Sequence, residues 1–470
     1  MIETQDALTL NNEDLAFIRM LGELFPNLES PLRFIEDEDI KKSIEEEVSF
    51  ISDLIDSSFT LKGPYRNRNV NKIDLIRVMG EASLFHFSGH YTRSKNVVGW
   101  KLYNDIFNFE DINLQTLEKK IRAEERLSFD DGVILWNSFD LLGVGYLANI
   151  VRERIHGNDT YFIHNRHINH TNVCVNTCQF CAFGVKEGDP TAYTKTLDEI
   201  FSDAELYKGG RVSEFHIVGG LHPDLSFQYY LDMISGLKSR FPDVHIQAFT
   251  AVELQYLAQL AKKSLEETLV ELHNAGLGSI PGGGAEIFAK RVRRKICSEK
   301  TNAEEWLDVH RTVHSVGMKS NATMLYGHVE NAEDRTDHLI RLRELQDTTN
   351  GFLTFIPLAF HPENTNLSHL NSTPGQLDLR ALAVSRLMLD NFPHVKAFWI
   401  MITPQIAQMS LSFGTNDMDG TVVEEKIIHA AGGVTGQIFH KNVIADMIIE
   451  AGRMPMERDT LYEQTHEYVV

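Results

Sequence analysis

Short apolar runs alternate with helix-patterned segments along most of the chain, and this alternation constrains the fold more than any other feature. The helical patterns include residues 225–241 and 302–317, where apolar residues recur at the spacing of one helix face. The strand candidates are residues 160–168, 214–220, 245–251, 277–283, 318–324, 352–358, 395–402 and 410–416. Eight short strands separated mostly by helices predict β/α units that form a parallel sheet.

Two α/β architectures fit this count, an open doubly wound sheet and a closed barrel. Glycines or functional groups stand directly after six of the strand candidates, in "VGGLHP", "FTAVE", "PGGGAE", "ATMLYGH", "AFHPENT" and "FGTNDMDG". In a barrel the carboxyl ends of all strands meet at one mouth, where active sites lie. We therefore predict an α/β fold with a (β/α)8 TIM-type barrel over residues 114–470, including C-terminal helices. Residues 1–113 carry a charge-dense block at 36–48 and are predicted to be a mostly helical N-terminal extension of unknown function.

Composition and charge argue against several functional classes. The net charge of −21 over 470 residues disfavours sequence-independent nucleic-acid binding, which needs clustered Lys and Arg, and docking on an anionic membrane. No run approaches the ~20 apolar residues of a membrane-spanning helix, and the first residues lack the pattern of a secretory signal. Four cysteines are too few for a disulfide scaffold. We therefore predict a cytoplasmic protein with reduced thiols and with neither nucleic acid nor membrane as a partner.

Three of the four cysteines fall on one short stretch with the spacing C-x3-C-x2-C, namely Cys174, Cys178 and Cys181. Three thiolates on one loop can hold three irons of a 4Fe–4S cluster and leave the fourth iron without a protein ligand. Zinc is the alternative, because His167 and His170 precede the cysteines, but a structural zinc site takes four ligands at regular spacings. Cys297 lies in a basic stretch without a local motif, and we interpret it as a buried thiol.

This spacing, with Phe180 directly before the third cysteine and the motif at the end of a first barrel strand, resembles the radical S-adenosylmethionine (SAM) superfamily. The resemblance implies that the three cysteines ligate the cluster and that Phe180 lies beside the cofactor. It also implies that the open iron chelates the amino and carboxylate groups of SAM's methionine. An electron from the reduced cluster then releases a 5′-deoxyadenosyl radical.

Further parts of the superfamily pattern follow the next strand candidates. Gly219 and Gly220 match the glycine pair whose backbone contacts the methionine part of SAM, although a tight turn would use glycines equally. The usual "GGEP" is replaced here by "GGLHP", so the acid of that motif is absent from this sequence. Thr250 and Glu253 are implied contacts to the ribose or amino group of SAM, and Glu286 to SAM or a ribose hydroxyl. A glutamate that balances a helix dipole would look the same in the sequence.

Later stretches resemble the menaquinone and deazaflavin branch of the superfamily, at residues 279–288, 310–330, 340–347 and 355–367. Residues 319–328, 359–365 and 413–432 are most similar to the aminofutalosine synthases of that branch, and the resemblance covers about 114–455. It implies that the 5′-deoxyadenosyl radical adds to 3-[(1-carboxyvinyl)oxy]benzoate and that rearrangement and decarboxylation give 6-amino-6-deoxyfutalosine. SAM would then be a co-substrate, and a flavodoxin or ferredoxin the expected electron donor. A dehypoxanthine futalosine cyclase, a deazaflavin-synthase-like enzyme and a non-catalytic zinc or iron–sulfur regulator remain alternatives.

The implied substrate carries two carboxylates and an aromatic ring, and several polar residues near the predicted mouth suit it. Arg293 would clamp a carboxylate through two hydrogen bonds, unless it is a solvated helix residue. A histidine at the mouth would donate a hydrogen bond or move a proton. The predicted catalytic residues are Arg293, Tyr326, His328 and His361, and the predicted substrate contacts are Asn321, Asn364 and Thr365. Asp417 and Asp419 are either contacts to substrate hydroxyls or turn-forming residues.

Overall fold

The structure of the protein, a computed structural model, describes residues 107–205, 212–422, 426–433, 435 and 440–468. The predicted N-terminal extension lies almost entirely outside the described residues, and its predicted helical content stays a prediction. The remaining chain forms a compact unit that begins at Phe107. The boundary that we predicted at residue 113 also stays a prediction.

Strands and helices alternate through this unit as expected from the pattern of apolar residues. The strands are β1 (Asp159–Ile163), β2 (Asn165–Ile168), β3 (Glu214–Ile217), β4 (His245–Ala248), β5 (Ser279–Ile280), β6 (Lys319–Tyr326), β7 (Phe352–Ala359), β8 (His394–Val395), β9 (Asp417–Gly420), β10 (Met454–Arg458) and β11 (Thr465–Glu467). The helices are α1 (Ile112–Arg122), α2 (Phe129–Asn137), α3 (Leu141–His156), α4 (Leu197–Glu205), α5 (Phe227–Arg240), α6 (Ala251–Ala261), α7 (Leu265–Ala275), α8 (Lys290–Ile296), α9 (Ala303–Ser315), α10 (Ala332–Thr349), α11 (Gly375–Met388), α12 (Trp399–Ile402), α13 (Pro404–Ser410), α14 (Ile427–Ala430) and α15 (Lys441–Glu450).

The central sheet has seven strands in the order β2-β3-β4-β5-β6-β7-β8, and every neighbouring pair is parallel. The strands follow one another in the sheet in the same order as in the chain. One or two helices lie between successive strands and return the chain to the end of the sheet where each strand begins, as parallel pairing requires. The strands are buried on both faces, with the burial pattern of β2 uniform over its length. The predicted TIM-type β/α architecture is therefore confirmed.

A further strand spans the opening between the two edges of this sheet. Backbone hydrogen bonds join β9 to the end of β8, from Ala397 N to Asp417 O at 2.8 Å. On its other side β9 pairs in parallel with β1, which continues into β2 after one residue, His164. β1 and β9 also belong to a second sheet, in the order β11-β10-β1-β9. The predicted strand 160–168 is thus one path through the barrel wall, shared between two sheets.

The last two predicted strands begin and end elsewhere than expected. Of the predicted strand 395–402, only the first residue is in β8, and the chain then turns into the short helix α12. The predicted strand 410–416 is wrong, because α13 ends there and the eighth strand is β9. Thr403 accepts a hydrogen bond from Ile406 N and is followed by a proline at the first helical position, which is a helix start that the apolar pattern concealed.

Polar residues at the helix starts explain why the helices outside the barrel begin where they do. The sequence "SFDD" (128–131) predicts a helix start capped by Ser128, with Asp131 three residues on, and this is confirmed: the Ser128 hydroxyl accepts from Asp131 N while the Asp131 carboxylate accepts from Ser128 N. The same reciprocal pair begins α6, α7, α9 and α10. Among the helices of the described residues, none has the length and apolar character required to cross a bilayer.

Candidate active site

A cavity of about 320 Å³ lies inside the barrel and extends to the mouth formed by the carboxyl ends of the strands. The loop after β2 carries the cysteine motif and forms part of its wall. Most of the predicted site residues line this one cavity: Cys174, Cys178, Phe180, Cys181, Gly219, Gly220, Thr250, Glu253, Glu286, Asn321 and His361. The barrel therefore brings together groups that are up to 187 positions apart in the chain, since Cys174 and His361 share it.

The cysteine loop is held at its base and at one side. Cys174 N donates to Val185 O at 2.9 Å, and Val173 and Val185 form a parallel bridge. The two ends of the cysteine loop are therefore held side by side. On the side of α8, Gln179 N donates to Ile296 O at 2.8 Å. All three thiols are half-buried. The loop is thus fixed against the barrel while its sulfurs face the cavity.

The three thiols suit a cluster in which each sulfur binds its own iron. The Sγ atoms of Cys174 and Cys181 both lie within 4.0 Å of the point where a Cβ on Gly184 would stand, so this glycine keeps space beside the sulfurs. Gly184 N donates to Cys181 Sγ at 3.3 Å, as a hydrogen bond to a thiolate would. Burial raises the pKa of the Cys178 thiol to about 12 in the protein alone, so a bound cation is needed to hold it as a thiolate.

Alternative metal ligands are not gathered here. In the part of the chain that the structure describes, no three His, Cys, Asp or Glu side chains surround one metal ion, the three cysteines included. A four-ligand zinc site therefore has no support here, whereas the cysteines of a cluster each bind a different iron and need not surround one ion. Cys297 is 4% exposed and does not line the cavity, which confirms its interpretation as a buried thiol. His170 packs beneath Gly219 instead of facing the cysteines.

Gly219 and Gly220 allow the turn after β3 to approach the cysteine loop closely. A Cβ on Gly220 would lie 2.2 Å from Val173 O, and one on Gly219 would lie 2.5 Å from the ring of His170. Their amide groups are already used, since Gly219 N donates to Glu253 at 3.0 Å and Gly220 N to Thr171 O at 2.9 Å. A contact with the methionine part of SAM would therefore use their carbonyl oxygens.

Thr250 and Glu253 form the N-terminal capping pair of α6 and also line the cavity. One Glu253 carboxylate oxygen accepts from Thr250 N at 2.7 Å, and the other accepts from Gly219 N. Burial raises the pKa of Glu253 to about 7, although these hydrogen bonds oppose the shift. The helix-start alternative is thus observed, and it places Glu253 where it also supports the glycine turn.

Glu286 is paired with a lysine that sequence reasoning did not single out. Lys300 Nζ lies 2.5 Å from Glu286 Oε1 and 5.4 Å from the ring centroid of Phe180. Burial would lower the pKa of Lys300, but Glu286 together with the nearby Cys178 and Cys297 raises that pKa well above its usual range. Glu286 has a φ of 49°, an unusual backbone conformation that helps to direct its side chain towards Lys300. The pair places a cation and an anion beside the cysteine loop.

Deeper in the barrel, polar side chains on or next to the strands face the cavity, and of these the sequence analysis had considered only His167 and Asp419. They are Asn165, His167, Glu214, His216, Gln247, Thr323, Lys396 and Asp419. The sequence does contain a sign of this polar wall. In "NRH", "EFH" and "NAT" two polar residues are two positions apart, which is the spacing of side chains on one face of a strand. Asp419 was one of our candidates, and it lies on the cavity wall.

Comparison with known proteins agrees with this geometry. Residues 168–342 match the family model described as the Radical SAM superfamily, and residues 349–469 match the CofH/MqnC C-terminal region. An aminodeoxyfutalosine synthase of Thermus thermophilus is 47% identical over 359 residues, which are 75% of this chain and 96% of that protein. The chain belongs to the radical SAM superfamily.

Within the superfamily, further relatives point to one branch, and a solved structure shows the same fold. An aminodeoxyfutalosine synthase of Streptomyces coelicolor is 43% identical over 75% of this chain and 94% of that protein. A cyclic dehypoxanthine futalosine synthase of Halalkalibacterium halodurans is 37% identical over 74% and 93%. A crystal structure of methylornithine synthase has the same fold, with a TM-score of 0.58 at 17% identity over 72% of this chain and 97% of that one. The predicted futalosine-pathway branch is confirmed.

Arg293 of this radical SAM enzyme does not face the cavity, contrary to our prediction of a carboxylate clamp. It is 5% exposed, and its guanidinium donates to Ala285 O at 2.5 Å and to Thr301 O. These carbonyls belong to the segments before and after α8, so the arginine ties the two ends of that connection together. Arginine has five donors and satisfies several carbonyls at once, a role that sequence alone does not separate from anion binding.

Tyr326 and His328 also lie outside the cavity lining. The Tyr326 hydroxyl donates to Asp378 Oδ1 at 2.7 Å in a fully buried position. The side chain of His328 is buried, with Nδ1 3.0 Å from Glu330 Oε2, and burial lowers its pKa despite this carboxylate. Both residues support the turn after β6 and do not line the cavity.

The two predicted contacts in the loop after β7 have similar structural roles. Asn364 is exposed and donates to Ala430 O at 3.0 Å, and the hydroxyl of the buried Thr365 donates to Pro362 O at 2.6 Å. His361 and Asn321 do line the cavity. His361 Nε2 lies 2.9 Å from Met401 O and Asn321 Nδ2 donates to Gln247 at 3.2 Å. Their roles towards a substrate stay predictions.

The Tyr326–Asp378 pair predicts a pH-dependent stability. Burial raises the pKa of Asp378 from 3.8 to about 7, while the hydrogen bond from Tyr326 opposes the shift. Because the folded protein binds this proton more tightly, the stabilisation is complete below pH ~4 and is lost as the pH rises through about 7. Asp378→Asn cannot titrate and should exceed the wild type in unfolding free energy by about 2–4 kcal/mol at pH 8, with little difference at pH 4. Urea unfolding at both pH values measures this, and parallel pH profiles for the two proteins would contradict it.

Proposed function

We propose that this chain is an aminodeoxyfutalosine synthase. The observation that carries the proposal is the identity of 47% and 43% to two proteins of that name, each matched over at least 94% of its length. Identity to the cyclic dehypoxanthine futalosine synthase is lower, at 37%. The reaction would join the 5′-deoxyadenosyl group of SAM to 3-[(1-carboxyvinyl)oxy]benzoate, followed by rearrangement and loss of a carboxyl group to give 6-amino-6-deoxyfutalosine.

Cys174, Cys178 and Cys181 would hold a 4Fe–4S cluster, and the turn at Gly219 and Gly220 would accommodate the methionine part of SAM. When bound, the cluster supplies the electron that cleaves SAM to the 5′-deoxyadenosyl radical. Lys300 and Glu286 stand beside the cysteine loop, where they would bind polar groups of SAM. The chain's own contribution is to orient SAM so that its ribose carbon points into the barrel.

The interior of the cavity suits an aromatic acid. Apolar side chains of the wall exclude water from a reactive radical, including Phe180, Phe183, Ile356, Leu358 and Phe398. Polar side chains of the strands lie deeper and would hold the carboxylate and ether oxygens. This division supports a substrate with one reactive end at the mouth and a charged end inside.

The test is an anaerobic assay with reconstituted protein, dithionite, SAM and 3-[(1-carboxyvinyl)oxy]benzoate, analysed by mass spectrometry. A product with the mass of 6-amino-6-deoxyfutalosine supports the proposal. If SAM is cleaved only to 5′-deoxyadenosine, the substrate is wrong, and dehypoxanthine futalosine is tested next because the cyclase uses the radical to abstract hydrogen. If no SAM is cleaved, the proposed function is wrong.

The physiological reductant would be an acidic flavodoxin or ferredoxin in the cytoplasm, where we place the enzyme. The observation that supports an acidic partner is the exposed basic surface of α8, formed by Lys290, Arg291, Arg294 and Lys295. This helix leads directly to the cysteine loop through the hydrogen bond from Gln179 N to Ile296 O. Positive charge next to the cluster would attract an acidic carrier to a short electron path.

Reversing one of these charges should slow only the protein-driven reaction. For Lys295→Glu we expect a drop of about 3- to 10-fold in the rate with reduced flavodoxin at low salt, because rim charges act mainly on association. The rate with dithionite should be unchanged. Lys119→Glu, at an exposed lysine of α1, is the matched control and should behave as wild type with both reductants. An equal loss with both reductants would show that the change disturbs the site instead.

A further inference from the structure

We propose that Lys396 binds the ring carboxylate of the substrate inside the barrel and so determines specificity for a substituted benzoate. This inference deepens the proposed function and rests on it. It assigns the charged end of the substrate to one side chain that no sequence motif marks.

Lys396 follows β8 and is 7% exposed, yet it lines the cavity. Its ammonium donates to Asp419 Oδ1 at 2.8 Å, and within the described residues this carboxylate is its one hydrogen-bond acceptor. An ammonium has three donors. A buried donor without an acceptor is costly, so the remaining N–H groups require an acceptor in the cavity. A carboxylate of the bound substrate supplies one.

The backbone around Asp419 is arranged to hold this pair. Asp419 has a φ of 64° within β9, a left-handed conformation that is strained for residues other than glycine, although less for Asp than for most. Its amide N–H donates to Asp417 Oδ1 at 2.6 Å, which stabilises the strained conformation. Asp417 is in turn neutralised by Arg458, 2.6 Å away, and accepts from the hydroxyl of Tyr462 at 2.6 Å. Strain at a cavity wall, supported from behind, indicates a side chain positioned for a ligand.

The second acid near Lys396 is Glu214, which interacts with a histidine as well as with the lysine. The Glu214 carboxylate interacts electrostatically with Lys396, and its Oε1 lies 3.9 Å from His216 Nδ1. His216 and the neighbouring His167 are stacked with ring centroids 4.6 Å apart. Both imidazoles, as well as Asn165, offer neutral hydrogen-bond donors around the lysine. A carboxylate at this place therefore meets one cation and several donors, which must outweigh the repulsion from Asp419 and Glu214 on the same wall.

The position of Lys396 selects the ring carboxylate over the other one. The alkene carbon that reacts must lie at the mouth beside SAM, and the enolpyruvyl carboxylate is attached to the same alkene. The ring carboxylate is on the far side of the aromatic ring. Lys396 interacts with Glu214, the first residue of β3, and with His167 of β2, whereas the cysteine loop begins beyond the end of β2. The lysine is thus on the inner side of the cavity.

The experiment compares 3-[(1-carboxyvinyl)oxy]benzoate with 2-phenoxyacrylate, which lacks only the ring carboxylate. Wild-type kcat/KM should be roughly 100-fold higher for the benzoate, because only the benzoate can form a charged hydrogen bond with Lys396 in a site that excludes water. In Lys396→Met the benzoate should lose roughly 100-fold, mainly through KM, while the phenoxyacrylate changes less than about 3-fold. Calorimetric binding of both compounds to the protein with SAM gives the same comparison without turnover.

Two further variants keep the result interpretable. Lys396→Gln/Asp419→Asn removes both charges, so it leaves no unpaired acid inside and should also lose the discrimination. Lys441→Met removes a lysine that is paired with Glu457 away from the cavity, and it should retain the discrimination. An equal loss for both compounds in the Lys396 variants would overturn the proposal. If wild type binds both compounds with the expected difference, Lys396→Met loses that difference, and no product forms, the proposed function fails and the lysine's role stands.

Discussion

Replacing Cys174, Cys178 or Cys181 with alanine is expected to reduce SAM cleavage to the background of a protein-free reaction while the barrel stays folded. The three thiols lie on one loop with no other cysteine on the cavity wall, so a lost sulfur has no replacement there. The loop is anchored by backbone hydrogen bonds, such as the one from Cys174 N to Val185 O, which alanine retains. The loss should therefore appear in the cluster and not in the fold.

Iron and sulfide content, the electron spin resonance of the reduced protein and the yield of 5′-deoxyadenosine measure this effect. Cys297→Ala is the matched control, because that thiol is buried beside α8 and does not line the cavity. It should keep the cluster and the wild-type yield. A Cys178→Ala variant with a full cluster and normal SAM cleavage would contradict the assignment of the three ligands.

Periodicity was sufficient to predict the β/α barrel because short strand-like segments alternate with helical patterns along the chain, even where a strand such as β2 or β3 carries polar residues. Helix starts such as Ser128 were also visible, since a capping pair is a local pattern. The eighth strand was misplaced because β9 reads "DMDG", with polar residues that are buried by tertiary partners. Asp417 is neutralised by Arg458 from β10, a pairing across 41 residues that no local pattern reveals.

The candidate site divides in the same way. Residues within one short motif, such as the cysteines and the glycine pair, could be predicted because the loop itself determines their proximity. Lys300 and Lys396 could not, because each reaches the cavity only through the register of the barrel. Arg293 shows the opposite error: a basic residue near the site satisfies backbone carbonyls inside the protein. Charge in the sequence does not distinguish a ligand contact from an internal one.

The close packing of the glycine turn on the cysteine loop makes Gly220→Ala the second substitution with a large expected effect. A Cβ at this position would lie 2.2 Å from Val173 O and 2.7 Å from Val173 C, far inside contact distance. The obstacle is backbone, so no side chain can move aside, and Val173 directly precedes Cys174, the first proposed cluster ligand. The turn or the loop must shift, at a cost of about 1–3 kcal/mol in unfolding free energy. A shift of 1 Å in a site of this kind lowers a rate by about 100-fold.

Denaturant unfolding, iron content and SAM cleavage, measured on the same Gly220→Ala preparation, test this expectation. We expect a stable but weakened fold with about 100-fold slower SAM cleavage. Gly188→Ala is the control, because a Cβ there meets nothing within 4 Å, although its φ of 86° adds about 1 kcal/mol of local strain. Gly188 lies in the same segment as the cysteines. If any substitution near the cysteine loop disturbed it, SAM cleavage would fall equally in both variants. A loss of SAM cleavage in Gly220→Ala alone identifies the close approach to Val173 as the cause, since this packing positions the glycine turn against the cysteine loop.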